Sequence, residues 1–333
     1  MARNLTYSTT YPLVLTRACA NSCGYCSFPV SEPGRLPPLR VVRRHLLEAQ
    51  RRGATQVELI AGEGIANHPS VVEAVRYYGF DSLQSYLTGI LQMIEATNSR
   101  SHLFSLLNVG PLSLAELRLM RPYLCAVRVM LESADPGLQY LEAHRDAPSK
   151  TPDQRLEAIL RCGRARVPLT TGIMIGVGES PDSRGKAFEI LARAHEMYGH
   201  IQAIRLQMFH PVPGTLMESF RPAADGEFLA AVAQARAVFG DAIPIQVSAD
   251  EHPYMVGELM DAGVTDFGEL SVRRPAVNVS HEELLAILAA EARLRNRTIE
   301  RRFPIHEPFC NPLWYPGGFP HRIPRARVFL PKK

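Results

Sequence analysis

The chain lacks any apolar run near the ~20 residues that cross a bilayer; its run at 11–15 is short, is followed by Arg17 and reads as a buried strand. It also lacks a strong charge excess, with 37 Lys and Arg against 33 Asp and Glu for a net +4. That speaks against nucleic acid, whose readers carry a clustered basic face; the basic residues at Arg301, Arg302 and 322–333 read as a solvated tail. Cysteine is scarce: of six, Cys125, Cys162 and Cys310 stand alone, and no secretory signal precedes the others, so a reducing, cytoplasmic setting is expected. No dinucleotide fingerprint is present, because Gly172 and Gly176 precede no matching glycine turn. There is no linker and no internal repeat. The remaining composition, 46% hydrophobic and 21% charged over 333 residues, is that of an ordinary globular protein.

What is present is concentrated near the N-terminus. Cys19, Cys23 and Cys26 stand in the run Cys-Ala-Asn-Ser-Cys-Gly-Tyr-Cys, with Tyr25 before the last thiol. Three thiolates can hold three irons of a four-iron cluster and leave the fourth open, whereas an all-cysteine site supplies four. The alternatives are half of a zinc site completed by His45 or His68, which tetrahedral zinc would need, or a disulfide pair. The spacing resembles that of the radical S-adenosylmethionine (SAM) superfamily. That resemblance implies a [4Fe-4S] cluster held by Cys19, Cys23 and Cys26, with SAM on the open iron.

Short apolar runs alternate with amphipathic stretches along the whole chain. Strands are expected at 13–16, 56–60, 103–107, 126–131, 169–175, 201–208, 243–247 and 266–270. Helices are expected at 41–52, 82–96, 152–165, 183–198, 227–239, 252–262 and 280–295, and one headed by Ser113, with capping boxes at Ser113/Glu116 and Ser280/Glu283. Such alternation argues for a parallel sheet, and the count suits an α/β fold, a closed (β/α)8 TIM-like barrel over 1–295. Residues 296–333, rich in Pro, Gly and aromatics, are expected to form an irregular C-terminal extension. In such barrels chemistry sits at the C-terminal strand ends, and the cysteine loop follows strand one.

Other strand ends carry candidates. After strand two comes Ala61-Gly62-Glu63-Gly64, and superfamily members use a similar turn for the SAM amino group. After strand four, Glu132 follows an apolar run and needs a partner: ribose hydroxyls, as in related enzymes, or a salt bridge to Arg155 or Lys150. Arg155, near a helix start, either binds the SAM carboxylate bidentately or solvates a helix face. Gly176 and Gly178 would let a ligand approach the backbone; superfamily members place adenine and ribose there. Gln207, ending strand six, is a polar group able to reach the bound small molecules. Tyr25, Gly62, Glu63, Glu132, Arg155, Gly176 and Gln207 make up the cofactor-binding set. Tyr7, Tyr11, His102, His144 and His210 are the candidate proton carriers, with nothing in the sequence to choose among them.

The resemblance extends to one family. The block from Thr16 to Phe28, His144-Arg145-Asp146-Ala147-Pro148, the block from Thr170 to Glu179, Tyr198-Gly199-His200-Ile201-Gln202 and Pro213-Gly214-Thr215 resemble, in order and register, the radical SAM component of 7,8-didemethyl-8-hydroxy-5-deazariboflavin synthase, the CofG type. This implies hydrogen abstraction by a 5′-deoxyadenosyl radical from a tyrosine-derived adduct of 5-amino-6-(D-ribitylamino)uracil. Cyclisation and loss of ammonia would follow. It further implies a CofH-type radical SAM partner enzyme that supplies the adduct, and an electron donor such as flavodoxin or ferredoxin. The chain departs from the family pattern at Ala61 to Gly64, at Ser105 to Gly110 and at Phe267 to Val272, all expected at the barrel mouth. A paralogue acting on another aromatic or tyrosine-derived substrate is the alternative, and a non-enzymatic cluster-binding protein the alternative of another class.

Overall fold

The computed structural model describes residues 4–28, 34–97, 103–273 and 279–314. The strands are β1 (Leu5–Val14), β2 (Gln56–Ile60), β3 (Phe104–Asn108), β4 (Ala126–Arg128), β5 (Leu169–Ile175), β6 (Ile201–Met208), β7 (Ile245–Gln246), β8 (Asp266–Ser271) and β9 (Ile299–Arg301). β1 to β8 pair in sequence order and β8 returns to β1, all in parallel, so the sheet closes into a barrel. The helices are α1 (Leu39–Arg51), α2 (Pro69–Tyr77), α3 (Leu83–Thr97), α4 (Leu114–Met120), α5 (Pro152–Ala165), α6 (Pro181–Tyr198), α7 (Asp225–Phe239), α8 (Val256–Ala262) and α9 (His281–Leu294). Both capping boxes form as expected.

The core lies between the barrel wall and the helices. Leu59, Val57, Leu107, Ile173, Leu206 and Phe267 point outward from their strands and meet Leu46, Ile90, Phe188 and Phe228. Each such side chain contributes roughly 1.5–3 kcal/mol on burial. None of the described helices is long and apolar enough to cross a membrane.

Several elements differ from expectation: α2 is unforeseen, β7 and α8 are shorter than 243–247 and 252–262, and three further differences bear on the barrel. β1 starts at Leu5, not residue 13: the polar Ser8 and Thr10 are buried within the strand. β4 is short, yet its chain continues along β5: the N–H of Val129 donates to Thr170 O and that of Leu131 to Gly172 O. The extension supplies β9, which pairs with Leu5 to Tyr7 of β1. Beyond it Phe303, Ile305, Phe309 and Trp314 pack on Phe104, Leu106, Cys125 and Ala126, closing the lower end of the barrel. Arg302 pairs with Asp266 at that end, with Nη2 to Oδ1 at 2.8 Å. The basic stretch at 322–333 and His102 lie outside the described residues.

Candidate functional site

The cysteine loop leaves the upper end of β1 and is stitched to three neighbours. Ala20 N donates to Glu63 O (2.8 Å), Ser22 N to Asp146 O (2.7 Å), Gly24 N to Ala143 O (3.1 Å), and Met217 N to Gly24 O (2.9 Å). The segment around His144 is thus the cradle of the loop. Two glycines are demanded by this packing: a Cβ on Gly62 would stand 2.0 Å from Ala18 O, and one on Gly24 would stand 2.2 Å from Glu142 O.

All three thiols of the loop are free. Backbone N–H groups point at two of them: Glu63 N lies 3.3 Å and Asn21 N 3.4 Å from Cys19 Sγ, and Phe28 N lies 3.5 Å from Cys26 Sγ. Burial pushes the Cys23 thiol up to about 12 and raises Cys26 as well. Such thiols are poor redox nucleophiles, while a metal deprotonates a coordinating thiol outright. Among the described residues no three His, Cys, Asp or Glu side chains converge on a single-ion point; thiols that each hold a different iron do not converge in that way. His45 is hydrogen-bonded to Tyr11 Oη (2.8 Å) outside the barrel and His68 to Ser70 Oγ (2.9 Å), which leaves the zinc alternative without its fourth ligand. Cys125 and Cys310 belong to the lower cluster and Cys162 is buried in α5. The donor set on the loop fits an iron–sulfur cluster.

Beside the loop lies a buried lattice of two acids and two bases. Lys150 Nζ contacts Glu63 Oε1 (2.9 Å) and Glu132 Oε1 (2.6 Å). Arg155 Nη1 reaches both oxygens of Glu63 at 3.0 Å, its Nε donates to Met130 O at 2.6 Å, and its Nη2 is 3.9 Å from Glu132. Ser149 Oγ (2.7 Å) and Asn21 Nδ2 (3.2 Å) also donate to Glu63. Burial alone would raise Glu63, but Lys150 and Arg155 outweigh it and hold the carboxyl at about 2; the same balance lowers Glu132. Glu132 sits at φ 67°, a left-handed backbone that costs a non-glycine residue about 1–3 kcal/mol and that clusters at functional sites. Glu132 therefore has both salt bridges that the sequence left as alternatives to a ribose contact, and Arg155 is a buried ion-pair partner rather than a residue solvating a helix face.

Tyr25 packs among Leu138, Ala143, Val177, Phe209 and Met217, with Oη 3.2 Å from His144 Nε2. Burial lowers His144 to about 4, so its ring is neutral near pH 7. Gly176 and Gly178 have φ 93° and 106°, and the Glu179 carboxylate accepts from Gly176 N (2.9 Å), Val177 N (2.9 Å) and Arg184 Nε (2.7 Å). The Gly176 N–H is thus already engaged. Gln207 lines a cavity of about 160 Å3 with Glu63, Glu132, Lys150 and Arg155. Of the other candidates, Tyr11 faces α1 and bonds Glu48 (2.8 Å), Tyr7 lies at the lower end beside Arg302, and His210 is exposed against His252. Only His144 among the described proton-carrier candidates stands by the loop.

Sequence reasoning missed Lys150 as the hub, and Asn21 and Ser149 as its neighbours. It also missed a charged layer inside the barrel, made by Glu58, Arg128, Arg205 and Glu269. For Glu58 and Arg128 the signal was there, since each stands between apolar neighbours, as in Val-Glu-Leu and Val-Arg-Val.

The radical SAM superfamily pattern matches residues 13–191. The chain belongs to the radical SAM superfamily. Within it, the 7,8-didemethyl-8-hydroxy-5-deazariboflavin synthase of Methanosarcina mazei is 31% identical over 93% of this chain and 91% of its own length. That of Methanothermobacter thermautotrophicus is 32% identical over 92% of this chain and 93% of its own. This radical SAM enzyme is thus a member of the deazariboflavin synthase family. Its barrel is similar to that of HydG, a maturase of the [FeFe]-hydrogenase, with TM-score 0.71 and 17% identity over 89% of this chain and 64% of that one; this likeness concerns the fold.

Proposed function

We propose that the protein is the CofG-type component of deazaflavin biosynthesis. It would act on the tyrosine-derived adduct of 5-amino-6-(D-ribitylamino)uracil, close the ring and release ammonia, as a lyase, to give 7,8-didemethyl-8-hydroxy-5-deazariboflavin. The observation that carries the reading is the cysteine loop stitched to the His144–Asp146 segment and set beside the Glu63–Lys150–Glu132–Arg155 lattice. Together with relatives of that name over nine-tenths of the chain, it supports this chemistry over a cluster-binding role.

Cys19, Cys23 and Cys26 would hold the cluster. When bound and reduced, it supplies the electron that turns SAM into methionine and a 5′-deoxyadenosyl radical able to take a hydrogen atom from the adduct. The chain's own residues do the positioning. Glu63 and the Gly62 turn would receive the ammonium of SAM, and Arg155 with Lys150 its carboxylate, so that a zwitterion exchanges pairs with a lattice that is already charge-balanced. Glu132, aimed by its left-handed backbone, would accept from ribose hydroxyls. Tyr25 closes the loop's apolar flank, the Gly176 turn packed on Ala223 would set the backbone after β5 beside the bound nucleoside, and Gln207 lines the cavity toward the substrate. His144 would stand by the loop as a neutral hydrogen-bond partner of Tyr25 Oη, positioning it against the substrate. The polar mouth is set in a dry wall, so the residues orient the reactants and exclude water, while the bound groups supply the difficult chemistry. A CofH-type enzyme would supply the adduct and a flavodoxin or ferredoxin the electron.

The test is anaerobic turnover of the reconstituted, reduced protein with SAM and the adduct. Formation of both 5′-deoxyadenosine and the fluorescent deazaflavin supports the reading. Deoxyadenosine without deazaflavin moves the assignment to a paralogue with another substrate.

A further inference from the structure

Beneath the lattice the barrel interior is charged where such barrels are usually filled by branched apolar side chains. Arg128 of β4 donates to Glu58 of β2 and to Glu269 of β8, both at 2.5 Å. Arg205 of β6 lies 3.6 Å from Glu269, and donates to Glu251 at 3.2 Å and to Gln246 at 3.3 Å. Asn108 of β3 donates to Glu58 Oε1 at 2.8 Å. Arg128, Glu58, Glu269 and Arg205 are all buried. Buried ion networks rarely outperform well-packed apolar side chains in stability, so stability is a weak reason for this layer. It is also incompletely satisfied: Arg128 Nε, Arg205 Nε and Thr10 Oγ1 have no hydrogen-bond partner among the described residues.

The cavity of about 160 Å3 sits on this layer. One end is the Glu63, Glu132, Lys150 and Arg155 lattice; the other is Asn108, Arg128 and Gln207, flanked by Met130 and Met174. Ligand pockets usually exceed ~300 Å3, so the second end admits one group of a substrate, not the whole of it. The charges of the layer cancel: Arg128 and Arg205 stand against Glu58 and Glu269, and the Arg128 guanidinium is already engaged by both carboxylates. What it offers is an array of fixed donors and acceptors without net positive charge, which suits a neutral, hydrogen-bonding group and disfavours a dianion.

Resting on the deazaflavin reading, we propose that Asn108, Arg128 and Gln207 form the substrate end of this cavity. They are the specificity-determining residues that take the uncharged ribityl polyol of the adduct and reject its phosphate ester. Arg128 acts as a donor held in place by Glu58 and Glu269. Asn108, with its amide already donating to Glu58, presents its carbonyl. Gln207 presents either face of its amide.

The test uses the reconstituted holoenzyme with SAM and either the adduct or the adduct phosphorylated on its ribityl chain. The wild type is expected to show kcat/KM for the phosphate ester lower by a factor on the order of 100, the size expected when buried polar groups meet the wrong partner. Arg128→Met leaves the buried Glu58 without a cation and Glu269 with Arg205 alone, and can fail to fold, so Asn108→Ala and Gln207→Leu carry the test. Each is expected to raise the KM for the adduct by about 10- to 100-fold, the loss of one or two buried hydrogen bonds, with the KM for SAM changed less than about threefold. Equal use of both substrates by the wild type, or an unchanged KM for the adduct in both variants, overturns the proposal and leaves the function standing. A wild type that cleaves SAM but forms no deazaflavin overturns the function and this inference with it.

Discussion

Lys150 Nζ stands 2.6 Å from Glu132 Oε1, and the same ammonium is 2.9 Å from Glu63. One buried cation therefore ties the turn after β2 to the end of β4, and its removal leaves two carboxylates short of a partner. Lys150→Met is expected to weaken SAM binding by about 10- to 100-fold, the effect of losing one charged hydrogen bond. Iron content should stay near wild type. Equilibrium binding of SAM to the reconstituted protein, with iron analysis of the same sample, checks both.

The thiols divide by place in the fold. Cys19, Cys23 or Cys26 replaced by Ala is expected to abolish SAM cleavage and strip most of the iron. Cys125 and Cys310, in the lower cluster, and Cys162, in α5, should tolerate Ala with cluster content kept. Iron and sulfide analysis of the six variants separates the groups, and iron loss in any of the latter three would favour a four-thiolate site.

Gly62 packs against the backbone of the cysteine loop, and a Cβ there would lie 2.0 Å from Ala18 O and 2.5 Å from Cys19 Cβ. Gly62→Ala must move the loop. A cost of about 1–3 kcal/mol from overpacking is expected, together with a clear drop in cluster content, read by denaturant unfolding and iron analysis. Gly53, whose Cβ would meet nothing within 4 Å although its φ is 73°, is the control: Gly53→Ala should strain the backbone alone and leave the cluster intact.

At the lower end, burial alone would raise Asp266, yet Arg302 outweighs it and holds the carboxyl below its usual 3.8. A depressed folded pKa contributes stability that is present above the unfolded value and is lost as pH falls through the folded one. Asp266→Asn is expected to cost about 3–5 kcal/mol at neutral pH, since it leaves Arg302 buried and unpaired. The gap to wild type should narrow as pH drops below 3.8. Urea unfolding across the acid range measures it.

All the helices but α2, and the order of strands, were legible because they depend on local signals: apolar periodicity, Ser113 and Ser280 as caps, and glycine stops. The start of β1 was hidden because Ser8 and Thr10 serve a polar barrel interior, against the usual apolar pattern. Glu63, Glu132 and Arg155 were found from their places at strand and helix ends. Lys150 was named only as a possible partner of Glu132 and not as the hub, because it ends a short 3-10 turn whose position depends on the closed barrel. The left-handed backbone of Glu132 had no sequence mark, since glycine is the residue that normally signals it. The interior ion layer needs four strands to come together, from positions up to 211 residues apart, a relation that no single window contains.

On the proposed function, the radical generated by this chain takes its hydrogen atom from the tyrosine-derived adduct. The most direct measurement is turnover with adduct deuterated on its tyrosine-derived carbons, followed by mass analysis of the 5′-deoxyadenosine. Deuterium in the deoxyadenosine, together with labelled deazaflavin lacking that atom, is the expected result. Unlabelled deoxyadenosine from every deuterated position would contradict it.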